Sequence, residues 1–421
     1  MKVLIIGKIS IIYRRDDFST YSNFAALICR ENMNKGKYVF AQLTDFLPHR
    51  VFDRLVAKYD GDKYVRSFTC WNQMLCMIFG QLTGRDSMRE LMLCLEAHKK
   101  KFYHLGFGTT VTRRNFGKAN ANRDYRIYEE FAITMIELAR HSCYRDDFEV
   151  KVDGNVYAFD SSTIDLCLSI FWWAKFRENK GGIKLHTLFD VKTSIPVLVV
   201  VTDAKSHDVN GLDFITYEAG SFYVVDKGYI DFGRLHDIHQ NGSFFVTRAK
   251  DNMKFKRMYS RQVDKTTGVL CDQIGKLVTP RSLKLYPDKI RRIKYYDAEL
   301  DREFVFITNN MELDAKDIAM LYKNRWHVEL FFKWIKQHLR VKSFWGTSMN
   351  AVKIQVYCAV ITYCLVALVG NTLKVDRSIY EILQILSFSL LDKTPINEIL
   401  TNTDYNIDNE LSYKQLKINW E

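Results

Sequence analysis

Near Asn155 the hydrophobic period of this chain changes, and that change limits its fold more than any other feature. Before residue 144 apolar residues recur at helical spacing, whereas 155–159, 184–189, 197–201 and 221–225 are runs rich in β-branched and aromatic residues. The tripeptide Asp190-Val191-Lys192 marks the turn between the second and third runs. Three strands in hairpin succession, a helical stretch after Asp208 and a further strand predict an α/β fold built on a mixed sheet. A second β-rich block spans 243–308, with strands expected at 244–247, 293–296 and 303–308.

The front of the chain is helical throughout. Phe40, Leu43 and Phe46 begin one helix, and 52–59, 67–80 and 87–95 read as three more. Thr112 is placed to cap a helix that starts at Arg113. Around it Lys99, Lys100, Lys101, Arg113, Arg114, Lys118, Arg123 and Arg126 alternate with aromatic rings, a pattern suited to the backbone of duplex DNA or to a solvated face of a bundle. Residues 1–32 do not resemble the rest of the chain and are expected to be an upstream extension.

Residues 322–336 predict a helix that begins near Asp314. At about 100° per residue, Tyr322, Arg325, Glu329 and Lys336 fall within roughly 60° of one another. Leu321, Val328, Phe331, Phe332, Ile335 and Leu339 fill an adjoining arc about 100° wide, the face of a helix packed on a core. Glu329 therefore lies at the edge of that core, framed by cations and a phenol. Such a carboxylate is either one half of a surface ion pair or a metal ligand whose neighbours grip a phosphate.

Composition narrows the partners. Sixty-one basic against 49 acidic residues give a net charge of +12, which favours a polyanion or an anionic surface. The nine cysteines form no Cys-x-x-Cys pair and read as reduced core residues of a cytoplasmic protein. The run 354–370 is the one stretch to weigh as a membrane span; Gln355, Tyr357, Thr362 and Tyr363 make a buried helix the better reading. No histidine and cysteine grouping has zinc spacing and no glycine-rich phosphate loop is present, so no nucleotide cofactor is expected.

Two aspartates stand out. Asp160 ends the run Val156-Tyr157-Ala158-Phe159, and Asp226 ends Phe222-Tyr223-Val224-Val225. A carboxylate at the end of a buried strand can face a cleft from a rigid backbone. If those strands are neighbours and the helix carrying Glu329 packs on them, three carboxylates can hold a pair of Mg²⁺ ions, which prefer oxygen ligands. Asp190 is better explained as a turn residue and Asp208 as a helix cap.

The spacing Tyr322-x2-Arg325-x3-Glu329-x6-Lys336, with Trp326 after the arginine, resembles the Tyr-Arg-Glu-Lys (YREK) signature of bacterial insertion-sequence transposases of family four, within the DDE group. Ala158-Phe159-Asp160-Ser161 and Val225-Asp226-Lys227-Gly228-Tyr229 are similar to that family's first and second aspartate motifs, in the same order. The resemblance implies a ribonuclease-H-like core interrupted by a β-rich insertion and preceded by an all-helical DNA-binding domain. The expected division is an extension at 1–32, a helical domain at 33–148, a core at 149–242 and 309–372, an insertion at 243–308 and a C-terminal helical region and tail at 373–421.

It also implies roles. Asp160, Asp226 and Glu329 would be the catalytic residues and would ligate two Mg²⁺ ions, with Mn²⁺ able to substitute. Tyr322, Arg325, Trp326, Lys333 and Lys336 would contact DNA, together with Arg113, Arg114 and Lys118 of the helical front. Lys175 and Arg177, in the loop that starts at Phe171-Trp172-Trp173, complete the expected DNA contacts. The expected partners are transposon ends and target DNA, bound by a homodimer in a synaptic complex on the bacterial nucleoid, away from any membrane. Two rivals stand beside a transposase: a related nuclease without strand transfer, and an inactive protein that only binds transposon ends.

Overall fold

The structure, a computed structural model, describes residues 2–6, 9–13, 36–108, 111–143, 150–338 and 343–401. The extension expected at 1–32 falls mostly outside them, apart from an antiparallel hairpin of β1 (Lys2–Ile6) and β2 (Ile9–Tyr13). The front is helical as its periodicity predicts: α1 (Val39–Thr44), α2 (His49–Lys58), α3 (Cys70–Leu82), α4 (Met88–Ala97), α5 (Arg113–Asn122) and α6 (Arg126–Ser142). Thr69, Ser87 and Thr112 cap α3, α4 and α5 by accepting from the backbone N–H three residues on. Each such cap contributes about 1 kcal/mol.

Next in the chain comes a sheet of ten strands. These are β3 (Val156–Leu166), β4 (Lys175–Arg177), β5 (Lys180–Asp190), β6 (Ile195–Asp203), β7 (Phe222–Val225), β8 (Phe244–Arg248), β9 (Phe255–Arg261), β10 (Val269–Leu277), β11 (Ile290–Asp297) and β12 (Arg302–Thr308). The order is β4-β5-β3-β7-β8-β12-β11-β10-β9, with β6 also paired to β5. Strands β3, β7 and β8 are parallel neighbours, and the other pairings are antiparallel. Asp190 makes the expected β5–β6 turn, its Oδ1 accepting from the backbone of Lys192 and Thr193.

Helix α7 (Phe232–Gln240) crosses from β7 to β8 and seats Leu235 and Ile238 on the sheet face that carries Tyr157, Phe159, Tyr223 and Val225. After α8 (Pro280–Leu285), the chain reaches α9 (Ala315–Lys323) and α10 (Trp326–His338) on the opposite face. Behind them runs α11 (Met349–Thr372), almost wholly buried; it is long and apolar enough to cross a membrane by composition, yet it is a core helix. Helices α12 (Ile379–Ser389) and α13 (Ile396–Thr401) close the described chain.

The structure changes several of these expectations. The single helix expected over 322–336 is two helices, broken at Asn324 and Arg325, where i→i−3 bonds (Arg325 N–H to Tyr322 O, Val328 N–H to Arg325 O) replace the α pattern. Asp160 does not end its strand: β3 runs on to Leu166 because β5 pairs with it throughout, Asp160 facing Thr187 and Leu166 facing Gly181. The stretch after Asp208 is a 3-10 helix, Asp208–Phe214. The block at 243–308 continues the core sheet, since β8 lies parallel to β7 and β12 pairs with β8. We propose accordingly that the insertion begins after Arg248.

Candidate active site

Strand register explains why the aspartates meet. The last paired row of the three parallel strands is Phe159, Val225 and Thr247. The next residue on each strand is Asp160, Asp226 and Arg248. Side chains alternate along a strand, so these three share the face of Val156, Ala158, Phe222, Val224 and Val246, the one that α9 and α10 cover. They also stand beyond the carboxyl ends of β7 and of the β7-paired part of β3, the usual place for a site in an open α/β sheet.

The helices supply the other wall. On α10, Val328, Phe331, Phe332 and Ile335 are buried as expected, and Phe331 lies 5.3 Å from Phe189 of β5, centroid to centroid. Leu339 lies outside the described residues. This docking points Glu329 at the strand ends, and one cavity of about 310 Å³ is lined by Asp160, Asp208, Asp226, Gly228, Tyr229, Arg248, Arg325 and Glu329.

Arginines hold the carboxylates apart. Arg325 Nη2 lies 2.6 Å from Glu329 Oε1 and its Nη1 lies 3.4 Å from Asp160 Oδ2. Asp160 also accepts from Tyr229 OH at 3.1 Å and from the Ser161 backbone. Burial pushes its carboxyl above the ordinary aspartate value against those donors. Asp226 differs. Burial pushes it up, but Arg248 Nη2 at 2.8 Å and Tyr322 OH at 3.0 Å donate to its Oδ1 and hold it below that value. Burial and the Asp226 charge in turn push the Tyr322 phenol up to about 12. The Nε atoms of Arg248 and Arg325 are buried without a hydrogen-bond partner among the described residues.

The signature residues thus divide. Tyr322 and Arg325 touch carboxylates directly, while Lys336 Nζ donates to Ser162 Oγ (2.6 Å) and Thr163 O (2.8 Å) further along β3. Trp326 and Lys333 are exposed on α10. Lys175 and Arg177 are exposed on β4 beside the hairpin tip, and Arg113, Arg114 and Lys118 are exposed on α5, both groups away from the cavity's lining. Sequence reasoning missed Arg248 and read Asp208 only as a cap. Asp208 lines the cavity at the first turn of its 3-10 helix and pairs with Lys184 at 2.8 Å. The signal for Arg248 was its place at the end of an apolar run, Phe244 to Thr247, which matches the placing of Asp226.

Residues 152–365 match a family model described as the transposase DDE domain, and residues 35–108 match one described as a domain of unknown function (DUF4372). The chain is 31% identical over 292 residues to a putative transposase, y4zB, of Sinorhizobium fredii, covering 68% of this chain and 80% of the relative. It is 33% identical over 210 residues to a probable transposase for insertion sequence element IS5377 of Geobacillus stearothermophilus, covering 49% and 54%. A putative transposase for insertion sequence element IS4SA of Synechocystis is 24% identical over 300 residues, covering 68% and 80%. Among solved structures, piggyBac transposase in a synaptic complex with hairpin DNA aligns at a TM-score of 0.42 and 9% identity, over 93% of this chain and 83% of that one.

The mixed sheet, with Asp160 and Asp226 at matching positions on two adjacent parallel strands, fits the ribonuclease-H-like fold of a transposase DDE domain. The chain belongs to the DDE transposases, enzymes that cleave DNA and transfer the cut strands.

Proposed function

We propose that this transposase binds the terminal inverted repeats of its own insertion sequence, cleaves them by hydrolysis and joins the freed 3′-hydroxyls to target DNA, as a member of the family four type with the YREK signature. The observation that carries this reading is the row of Asp160 and Asp226 in register beneath Glu329 on one cavity.

The donor set suits Mg²⁺ in kind, since every candidate ligand is a carboxylate oxygen. No three His, Cys, Asp or Glu side chains among the described residues are grouped as a metal site; Arg325 pairs with Asp160 and Glu329, and Arg248 pairs with Asp226. Asp160, Asp226 and Glu329 would hold the ions by exchanging those arginine contacts for metal. When bound, two ions would supply activation of a water or 3′-hydroxyl and charge stabilisation on the leaving oxygen.

The chain's own groups do the rest. Tyr229 fixes Asp160 on one side, and Tyr322 with Arg248 orients Asp226 on another. Arg325, released from Asp160 and Glu329, has its planar fork free for a DNA phosphate, and the unmet Nε donors of Arg248 and Arg325 suit the same anion. Lys336 and Lys333 continue the cationic line along α10. Two ends have to be held together for transfer, so a dimer on DNA is expected.

A labelled duplex carrying the element end, incubated with Mg²⁺ or with chelator, separates the readings. Transposase activity gives a metal-dependent cut and a joined product. A cut without joining points to a nuclease, and tight binding without a cut points to an inactive end-binding protein. The inverted repeats themselves, and short target duplications outside them, are read by sequencing the DNA that flanks the gene.

A further inference from the structure

Beside Asp160, but on the other face of the sheet, stands a fully buried histidine to which the reaction as described gives no part. His186 lies opposite Ser161 in the β3–β5 pairing. Side chains alternate along a strand, so Ser161 turns away from the cavity where Asp160 turns toward it. The imidazole meets it there: Nδ1 lies 2.7 Å from Ser161 Oγ, and Nε2 lies 3.0 Å from Thr202 Oγ1 of β6.

The direction of these bonds follows from counting protons. Burial, with Lys184 nearby, pushes the His186 pKa down to about 4, so the ring is neutral and carries a single N–H. Thr202 donates its hydroxyl proton to Asp203 O at 3.1 Å and therefore accepts from Nε2. Nδ1 is then the acceptor, and Ser161 donates to it. Any other Ser161 rotamer would leave that buried nitrogen unpaired. The backbone N–H of the same serine donates to Asp160 Oδ1 at 2.8 Å, beside Tyr229 OH at 3.1 Å. With two donors on Oδ1, Asp160 presents Oδ2, the oxygen on the Arg325 side.

The same ring supports a second wall of the cavity. Gly211 of the 3-10 helix packs on it so closely that a Cβ there would come within 2.5 Å of His186 Nδ1 and 2.6 Å of Phe159 Cζ. Asp208, which lines the cavity, begins that helix. We propose that His186 is a positioning residue for the metal-holding set: through Ser161 it fixes which Asp160 oxygen faces the cavity, and through Gly211 it seats the turn that carries Asp208. The inference rests on the transposase reading, because it assigns His186 a role toward ions that Asp160 would hold.

The test uses the full chain with an element-end duplex bound and Mn²⁺ as the probe. Binding is read by electron paramagnetic resonance and counted as the part that Asp160→Asn loses. Ser161→Ala and His186→Leu are each expected to weaken it by about tenfold to a hundredfold, the usual loss when the group that orients a metal ligand is removed. His186→Asn, whose side-chain oxygen stands where Nδ1 does, should recover part of that loss. Ser161→Ala should add nothing to His186→Leu, because both break one chain of bonds. Duplex binding in chelator should stay at the wild-type level in every variant. If His186→Leu does not fold, Ser161→Ala and His186→Asn decide the matter. Wild-type Mn²⁺ affinity in Ser161→Ala, or losses that add in the double variant, overturns the positioning role alone. Mn²⁺ binding that Asp160→Asn leaves intact overturns the metal-holding set itself.

Discussion

Arg325 is paired with two of the four carboxylates that line the cavity. It bridges Asp160 and Glu329, and removing it leaves two carboxylates facing each other in a partly buried site. Arg325→Ala and Lys336→Ala are each expected to slow end cleavage by at least about a hundredfold, roughly 2.7 kcal/mol of barrier, with circular dichroism unchanged. Unfolding in either variant would show that the pair is structural. Arg325→Lys should not restore the rate, because a lysine has no planar fork to span two anions. At this scale the sequence was legible where a motif spoke: Asp160, Asp226 and Glu329 line one cavity. Arg248 was missed: its place at the end of an apolar run was a signal, but its closeness to Asp226 comes from the Val225–Thr247 pairing of two parallel strands, which no spacing along the chain encodes.

At the scale of elements, periodicity found the helices of the front and the Thr112 cap, because both are written in residues close together in sequence. It missed the break at Asn324. Tyr322 and Glu329 keep nearly the same helical angle across it, so an apolar arc looks continuous whether or not the backbone turns. The far half of the sheet is tied to α9 through Arg291, which is 1% exposed, donates to both Asp272 oxygens (2.9 and 2.8 Å) and reaches the Leu313 carbonyl just before that helix. Arg291→Met leaves Asp272 buried without its partner, and a loss of roughly 3–5 kcal/mol in chemical denaturation is expected. A loss near zero would mean that the pair does not anchor α9.

A pH dependence belongs to the same scale. Glu218 accepts from Tyr157 OH (2.7 Å), Asn155 Nδ2 (3.0 Å) and Ser221 Oγ (3.2 Å), tying the start of β3 to the approach to β7. Burial opposes its charge, but these donors prevail and hold its pKa below the ordinary glutamate value of 4.5. Its contribution to stability is therefore complete above pH 4.5 and lost as pH falls through the depressed value. Wild type minus Glu218→Gln, compared by thermal melting, should shrink on acidification below pH 4.5; a difference independent of pH would contradict this.

On the scale of the whole molecule, the net charge of +12 and the exposed cations of α5 and β4 predict DNA binding that weakens steeply with salt. Removing Lys175 and Arg177 together should reduce the log–log salt slope by about 2 if both meet phosphates. An unchanged slope would place them off the DNA. The passage from a helical front to a β-rich sheet was legible from the change of period. The continuity of the sheet across the start of the insertion was not, since β8 reads equally well as the first strand of a separate block until its pairing with β7 is seen.

The central claim is that Asp160, Asp226 and Glu329 act as one metal-holding set. The most direct measurement is the Mg²⁺-dependent cleavage rate of a labelled element end for Asp160→Asn, Asp226→Asn and Glu329→Gln, each confirmed to be folded. Loss of at least about a thousandfold in all three, roughly 4 kcal/mol of barrier, is the expected result; wild-type cleavage by any one of them contradicts the account.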